Sequence, residues 1–257
     1  MNVAIMQRDV IWAEPKANCE RANHSIATLP ADTDLIVFPE MFSTGFAIRP
    51  EGIAEPEQSD TLMWMHRVAV QYDCAVAGSI AVQTGQTFRN RFYFVTPDGA
   101  EAHYDKHHLF TYGGEPQYYT AGQERVVVEW RGVRFLLQVC YDLRFPLWSR
   151  NREDYDCALY VANWPTSRIG AWNTLLRARA IENQCYAVGV NRVGQDPTCQ
   201  YCGASAVIDP YGHDLATCPF DQETESVAYI DMEALRAFRH KFPVLRDRDD
   251  SYVKMFT

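Results

Sequence analysis

Positive charge is scarce in this 257-residue chain: 24 lysines and arginines stand against 33 acidic residues, a formal net charge of -9. Such a balance repels a phosphate backbone unless basic residues gather on one face, and no basic patch occurs. Long apolar runs are also missing. None approaches the roughly 18 to 20 residues that cross a bilayer. The apolar start, MNVAIMQRDVIW, is broken by Gln7, Arg8 and Asp9 short of the length of a secretion signal. A cytoplasmic protein with neither a membrane nor a nucleic-acid partner is the expectation. The sequence has no solenoid-period repeat, low-complexity tract or linker, so one domain over residues 1–257 is expected. It also has no G-x-S-x-G elbow and no GxxxxGK[ST] loop, which removes the usual serine-hydrolase and P-loop readings and leaves chemistry that uses no cofactor and no metal.

Cysteine is present but not as a framework. The eight thiols, at positions 19, 74, 140, 157, 185, 199, 202 and 218, are scattered over a chain too large to need disulfides. Most should be reduced and buried. Cys199 and Cys202 have CxxC spacing, but no second pair stands at ligand distance, so that spacing reads as coincidence. The cluster His103, His107 and His108 lies in a strand-and-turn segment, where a helical histidine pair does not apply. His108 reads as a residue that orients the loop around Lys106.

Periodicity places the elements. Val3–Met6 reads as a buried strand, and a helix is expected from about Pro15 to Leu29, with proline in its first turn. Asp34–Phe38 is apolar on both faces, as a strand covered on both sides requires, and Pro39 stops it just before Glu40. Residues 59–72 read as a helix capped by Ser59 or Asp60, and Ala75–Val82 as a strand. Arg91–Val95 and Ala100–Tyr104 flank the turn Thr96-Pro97-Asp98-Gly99 as a hairpin, with Lys106 following directly. Arg125–Trp130 and Val133–Val139, joined at Arg131-Gly132, form another pair that runs into Cys140. A short helical piece near 146–152, a strand Cys157–Ala162, a helix at about 171–186, strands near 187–193, 204–209 and 226–231, and a helix from Glu233 to about His240 complete the body. The aromatic tail from about residue 246 is expected to dock on a partner subunit. Hairpins interrupt the alternation of strand and helix, which favours a mixed two-sheet sandwich over a purely parallel sheet.

Glu40, Lys106 and Cys140 each follow an apolar strand, so their side chains could meet at one end of a sheet. A thiol of ordinary pKa near 8.5 is mostly protonated at neutral pH and needs a neighbouring base or cation to attack. Taken singly, each of the three reads as a solvated strand end or an inert packing thiol. Their local wording changes that reading. The segments VFPEMFSTGF (37–46), YDKHHLF (104–110) and VCYDLRFPLWSR (139–150), followed by VANWP (161–165), RARAIENQCYAVGVNRVG (177–194) and SAVIDPYG (205–212), resemble the nitrilase superfamily. Within it they are most similar to the bacterial omega-amidase, or 2-oxoglutaramate amidase, group.

The resemblance implies an α/β fold, a four-layer α-β-β-α sandwich with mixed sheets, commonly paired as a homodimer. It implies Cys140 as nucleophile, Glu40 as general base, and Lys106 beside the developing tetrahedral centre, with the backbone N–H of Tyr141 helping to hold the oxyanion. Glu115, behind Gly113 and Gly114, falls near a second structural or catalytic glutamate of the family, the alternative being an exposed loop charge. Asn163 and Trp164 would border the acyl pocket, with a core tryptophan as the competing reading. Arg168 would pair with a substrate carboxylate, while Arg144 reads as a structural ion pair. The implied reaction is hydrolysis of the terminal amide of a small 2-oxo-dicarboxylate monoamide. The alternatives are another amide, a nitrile, an N-carbamoyl compound, or a non-enzymatic scaffold, the last opposed by the presence of all three residues.

Overall fold

The computed structural model describes residues 1–249. The tail expected to dock on a partner lies, from residue 250 on, outside the described residues; just before it, Val244–Asp247 makes a 3-10 turn.

Two mixed sheets form the body. The first runs, in spatial order, Thr224–Tyr229, Asn2–Gln7, Leu35–Val37, Ala75–Thr84, Thr87–Val95 and Glu101–Asp105, with Glu55–Pro56 on the far end of Ala75–Thr84. The second runs Asp214–Thr217, Ala206–Ile208, Tyr186–Asn191, Cys157–Ala162, Val133–Val139 and Val127–Trp130. The three strands at the centre of each sheet that carry the apolar runs are parallel. Hairpins close three of the four edges, and at the fourth Thr224–Tyr229 lies antiparallel to Asn2–Gln7.

Side-chain alternation decides the layering. Val3, Ile5, Leu35 and Val37 face Phe135, Leu137, Val139, Leu159 and Val161 of the other sheet in one fully buried cluster. Phe94 and Phe135 meet across it with ring centroids 5.6 Å apart, and truncating such a ring costs about 3–5 kcal/mol. The alternate residues point outward. Ala4, Met6, Ile36 and Val76 pack under the helices Pro15–Ile26 and Asp60–Tyr72, and Leu136, Ala158 and Tyr160 under Ile169–Asn183. The result is helix, sheet, sheet, helix, the four layers expected from the sequence.

Boundaries differ where local signals are weak. The first helix ends at Ile26 and not Leu29. The long helix of the second half starts at Ile169, two residues before the expected position, with no side-chain cap from Arg168 to mark it; it stops at Asn183, where Gln184 turns left-handed at φ 43°. Ser59 caps the second helix by accepting the Leu62 N–H at 3.0 Å. A small hairpin of Val193–Gln195 and Gln200–Cys202 was not expected.

Candidate active site

Four of the candidate residues follow the carboxyl ends of strands. Glu40 sits three residues past Leu35–Val37, Lys106 directly after Glu101–Asp105, Cys140 directly after Val133–Val139, and Asn163 directly after Cys157–Ala162. The two sheets present these ends on the same side, since the Asn163 N–H of the second sheet donates to Glu40 Oε2 of the first at 2.8 Å. Gly78 makes room for the Glu40 loop: a Cβ there would lie 2.9 Å from both Phe38 Cβ and a Phe42 ring carbon. Two non-glycine residues take left-handed backbone at this rim, Met41 at φ 44° and Cys140 at φ 46°. Such conformations cost about 1–3 kcal/mol each and persist only where the surroundings enforce them.

The polar cluster is dry. Glu40, Asn90, Lys106 and Glu115 are all buried at 1% exposure or less. Lys106 Nζ lies 3.0 Å from Glu40 Oε1 and 2.9 Å from Glu115 Oε2. Asn90 Nδ2 donates to Glu40 Oε1 at 2.7 Å and to Glu115 Oε1 at 3.3 Å. Glu115 is pinned further by the Phe110 N–H, 2.5 Å from its Oε2. Burial alone would push the Lys106 ammonium down, but Glu115 and then Glu40 overcome this and hold it above its ordinary value. Burial pushes the Glu115 carboxyl up, against the pull of Lys106.

Cys140 is half-buried and opens the 3-10 turn Cys140–Arg144. Its thiol is pushed well above the ordinary value by burial first and by the Glu40 charge next, with Lys106 opposing; Glu40 is within hydrogen-bonding reach of it. These surroundings favour the protonated form of the sulfur. Elsewhere, burial pushes the Cys19, Cys74 and Cys185 thiols up to about 12, and none of these lines the cleft.

That cleft, about 190 Å³, is lined at its base by Glu40, Lys106, Cys140 and Asn163 and on its walls by Phe46, Phe110, Tyr141 and Trp164. It is sized for a small molecule. Arg144 and Arg168 also line it. The Arg144 guanidinium lies 4.9 Å from the Trp164 ring centroid and that of Arg168 5.4 Å from the Phe110 ring centroid. Among the described residues neither guanidinium has an ion-pair or hydrogen-bond partner. This corrects the expectation of a structural ion pair for Arg144: the short turn after Cys140 swings its side chain onto an aromatic wall of the cleft.

Glu115 is the internal partner of Lys106 and no exposed loop charge. Trp164 satisfies both of its readings, since it lines the cleft and also packs on Trp172 with ring centroids 5.5 Å apart. His108 is bonded through Nδ1 to Asp142, at 2.8 Å, and stacks on Phe145. Cys199 and Cys202 are free thiols, Cys199 at the cleft wall and Cys202 buried in a strand. Asn90 and Asp142 escaped the sequence reading. Asn90 lies one residue before the strand expected from Arg91, and only the longer strand Thr87–Val95 puts it in an interior position, where asparagine is disfavoured without a specific partner.

The carbon-nitrogen hydrolase family model matches residues 2–240. An omega-amidase of Escherichia coli is 46% identical over 251 residues, covering 97% of each chain. A 2-oxoglutaramate amidase of Bacillus subtilis is 32% identical over 256 residues, covering 97% of this chain and 98% of the other. Among solved structures, a CN-hydrolase superfamily protein from Xanthomonas campestris with an arsenic adduct in its active site superposes with a TM-score of 0.94 at 41% identity, covering 97% of both chains. Among the described residues no helix is long and apolar enough to cross a membrane.

Proposed function

The chain belongs to the carbon-nitrogen hydrolase family and is an amidase, and from that premise we propose that it hydrolyses the terminal amide of a small 2-oxo-dicarboxylate monoamide, such as 2-oxoglutaramate, through a thioester on Cys140. One observation carries the substrate class: two guanidinium groups that have no anionic partner among the described residues line a cleft of about 190 Å³ whose floor is the Glu40–Lys106–Cys140 cluster. A guanidinium is well matched to a carboxylate, which it can hold bidentately. A substrate with an amide at one end and a carboxylate at the other supplies that anion while its scissile carbon lies over the sulfur.

The reaction then has two halves. As Cys140 Sγ attacks the amide carbon, its proton passes to Glu40, so no free thiolate is needed in the resting site. The carbonyl oxygen gains negative charge and is stabilised by the Lys106 ammonium and the Tyr141 N–H, a donor that the start of a helical turn leaves without an intrahelical partner. Glu40 returns the proton to the nitrogen, the C–N bond breaks and ammonia leaves. Water then gives a proton to Glu40 and attacks the thioester; the C–S bond breaks and the sulfur regains its proton. Glu115 and Asn90 keep Lys106 and Glu40 in register throughout.

A homodimer belongs to the same reading. Its support is an apolar surface over the outer helix of the second sheet, where Ile181, Tyr211, Leu215 and Phe242 are each 45% exposed or more; the hydrodynamic mass in solution tests it.

The test of function is ammonia release from a panel of 2-oxoglutaramate, glutamine, simple nitriles and N-carbamoyl amino acids. The oxo-acid amide should give the highest kcat/KM. A nitrilase would convert a nitrile directly to the acid, and a carbamoylase would release carbon dioxide with the ammonia. No preference for the oxo-acid amide would overturn the substrate assignment.

A further inference from the structure

Asn163 spends its two donor groups on one partner. Its backbone N–H donates to Glu40 Oε2 at 2.8 Å, and its Nδ2 donates to the Glu40 backbone carbonyl at 2.7 Å and to Oε2 at 3.4 Å. Two acceptors around Nδ2 fix the orientation of the amide, because a flipped side chain would set its oxygen against a carbonyl and a carboxylate. The remaining atom, Oδ1, is buried and has no hydrogen-bond partner among the described residues. Asn163 is 6% exposed and lines the cleft beside Cys140. Its backbone is held in place from the next residue on, where Asn191 Oδ1 accepts the Trp164 N–H at 2.7 Å and Asn191 Nδ2 donates to the Trp164 carbonyl at 3.0 Å. A buried acceptor without a partner, on a rigid segment at the edge of the site, is costly unless something that enters the cleft donates to it.

We propose that Asn163 Oδ1 accepts an N–H of the scissile amide, which makes Asn163 a catalytic residue that holds the leaving nitrogen against Glu40. A primary amide has two N–H donors, whereas its carbonyl end is taken up by Lys106 and the Tyr141 N–H. With one N–H on Asn163 Oδ1, the nitrogen faces the carboxyl group that Asn163 itself positions. When the tetrahedral centre collapses, Glu40 gives its proton to that nitrogen, the C–N electron pair stays on nitrogen, and ammonia departs. In the second half, one O–H of the incoming water occupies Oδ1 while the other proton goes to Glu40, so the same atom orients both nucleophile and leaving group.

The inference rests on Cys140 acting covalently on an amide and is independent of which acyl chain the cleft prefers. Its test compares the primary amide with the methyl ester of the same acid. Methanol needs a proton from Glu40 just as ammonia does, but the ester oxygen has no hydrogen to donate to Oδ1. In Asn163→Ala, kcat/KM for the amide should fall roughly 10- to 100-fold more than for the ester. Equal losses on both substrates would mean that Asn163 only props Glu40, and would overturn the assignment. Asn163→Ser, too short to reach the nitrogen, carries the same comparison if the alanine variant does not fold. Cys140→Ala separates the two readings. Amide turnover by that variant would remove the covalent mechanism itself, whereas parallel losses in Asn163→Ala beside an inactive Cys140→Ala remove only the role given to Oδ1.

Discussion

The carboxylate of Asp142, two residues beyond Cys140, accepts the backbone N–H of His108, two residues beyond Lys106, at 2.9 Å. The same buried carboxylate accepts the Tyr104 hydroxyl at 2.8 Å and the Val139 N–H at 3.0 Å. One side chain therefore ties the turn that carries the sulfur to the segment that carries the ammonium, across the gap between the sheets. Asp142→Ala leaves these donors buried and unpaired, at a cost of about 3 kcal/mol. Thermal unfolding should register this as a clearly lowered Tm, and residual activity should show reduced kcat with little change in KM. Wild-type stability in this variant would mean that the two segments are held by something else.

Removing the proposed nucleophile tests the covalent route. Cys140→Ala should fold with an unchanged melting temperature and lose turnover by several orders of magnitude. A loss of less than about tenfold would be incompatible with a thioester intermediate.

The two unpaired guanidinia give a specificity prediction. Arg144→Gln and Arg168→Gln should each raise KM for a carboxylate-bearing amide by about 10- to 100-fold, the worth of a charge-assisted hydrogen bond. A neutral amide of similar size should be hydrolysed as before. If neutral and anionic amides lose equally, the arginines shape the wall and recognise no charge.

The pH behaviour of Cys140 follows from its neighbours. Burial and the Glu40 charge both favour the protonated thiol, so its titration in the wild type lies well above the ordinary range. Glu40→Gln removes one of these causes while leaving Lys106, which favours the thiolate. Alkylation of Cys140 by iodoacetamide should therefore show its midpoint at a lower pH in the variant than in the wild type, although amide hydrolysis collapses for want of a base. An upward or absent shift would falsify the electrostatic reading of the pair.

Acid stability should depend on Asp156. Burial opposes ionisation there, but Arg134 hydrogen bonds and charge, with Arg239 also contributing, hold the carboxyl below its ordinary value. The sign is that of a depressed acid: the stabilisation is complete above the unfolded pKa, about 3.9, and is lost as pH falls through the lower folded one. Melting temperatures should drop between about pH 4 and pH 2, and Asp156→Asn should flatten that slope while melting lower at pH 7.

The fold was legible where a local pattern is strong. Leu35–Val37 is an uninterrupted apolar run stopped at Pro39, and Val133–Val139 is apolar apart from Arg134 and Gln138 and ends at the turn of Cys140, so the ends of both strands could be placed beside Glu40 and Cys140 from the sequence. Glu115 was ambiguous because its burial depends on Lys106 and Asn90, residues brought in from other strands. The role of Asn90 is equally nonlocal: Ser79 donates to its Oδ1 at 3.0 Å while its Nδ2 bridges two glutamates. Arg144 was misread because DLRFP favours a short turn without saying whether the arginine meets an acid or an aromatic face. The early start of the helix at Ile169 had no capping signal to announce it.

The buried cluster sets two carboxyl groups, Glu40 and Glu115, around one ammonium, with the sulfur beside them. The scissile end of the proposed substrate is uncharged and meets no repulsion there, but the acid made from it is born as an anion beside two carboxyl groups. Coulombic repulsion then drives the new carboxylate out toward the arginine-lined mouth and discourages its return. On the proposed chemistry, the arrangement that positions the base also hastens release of the acid and weakens inhibition by it.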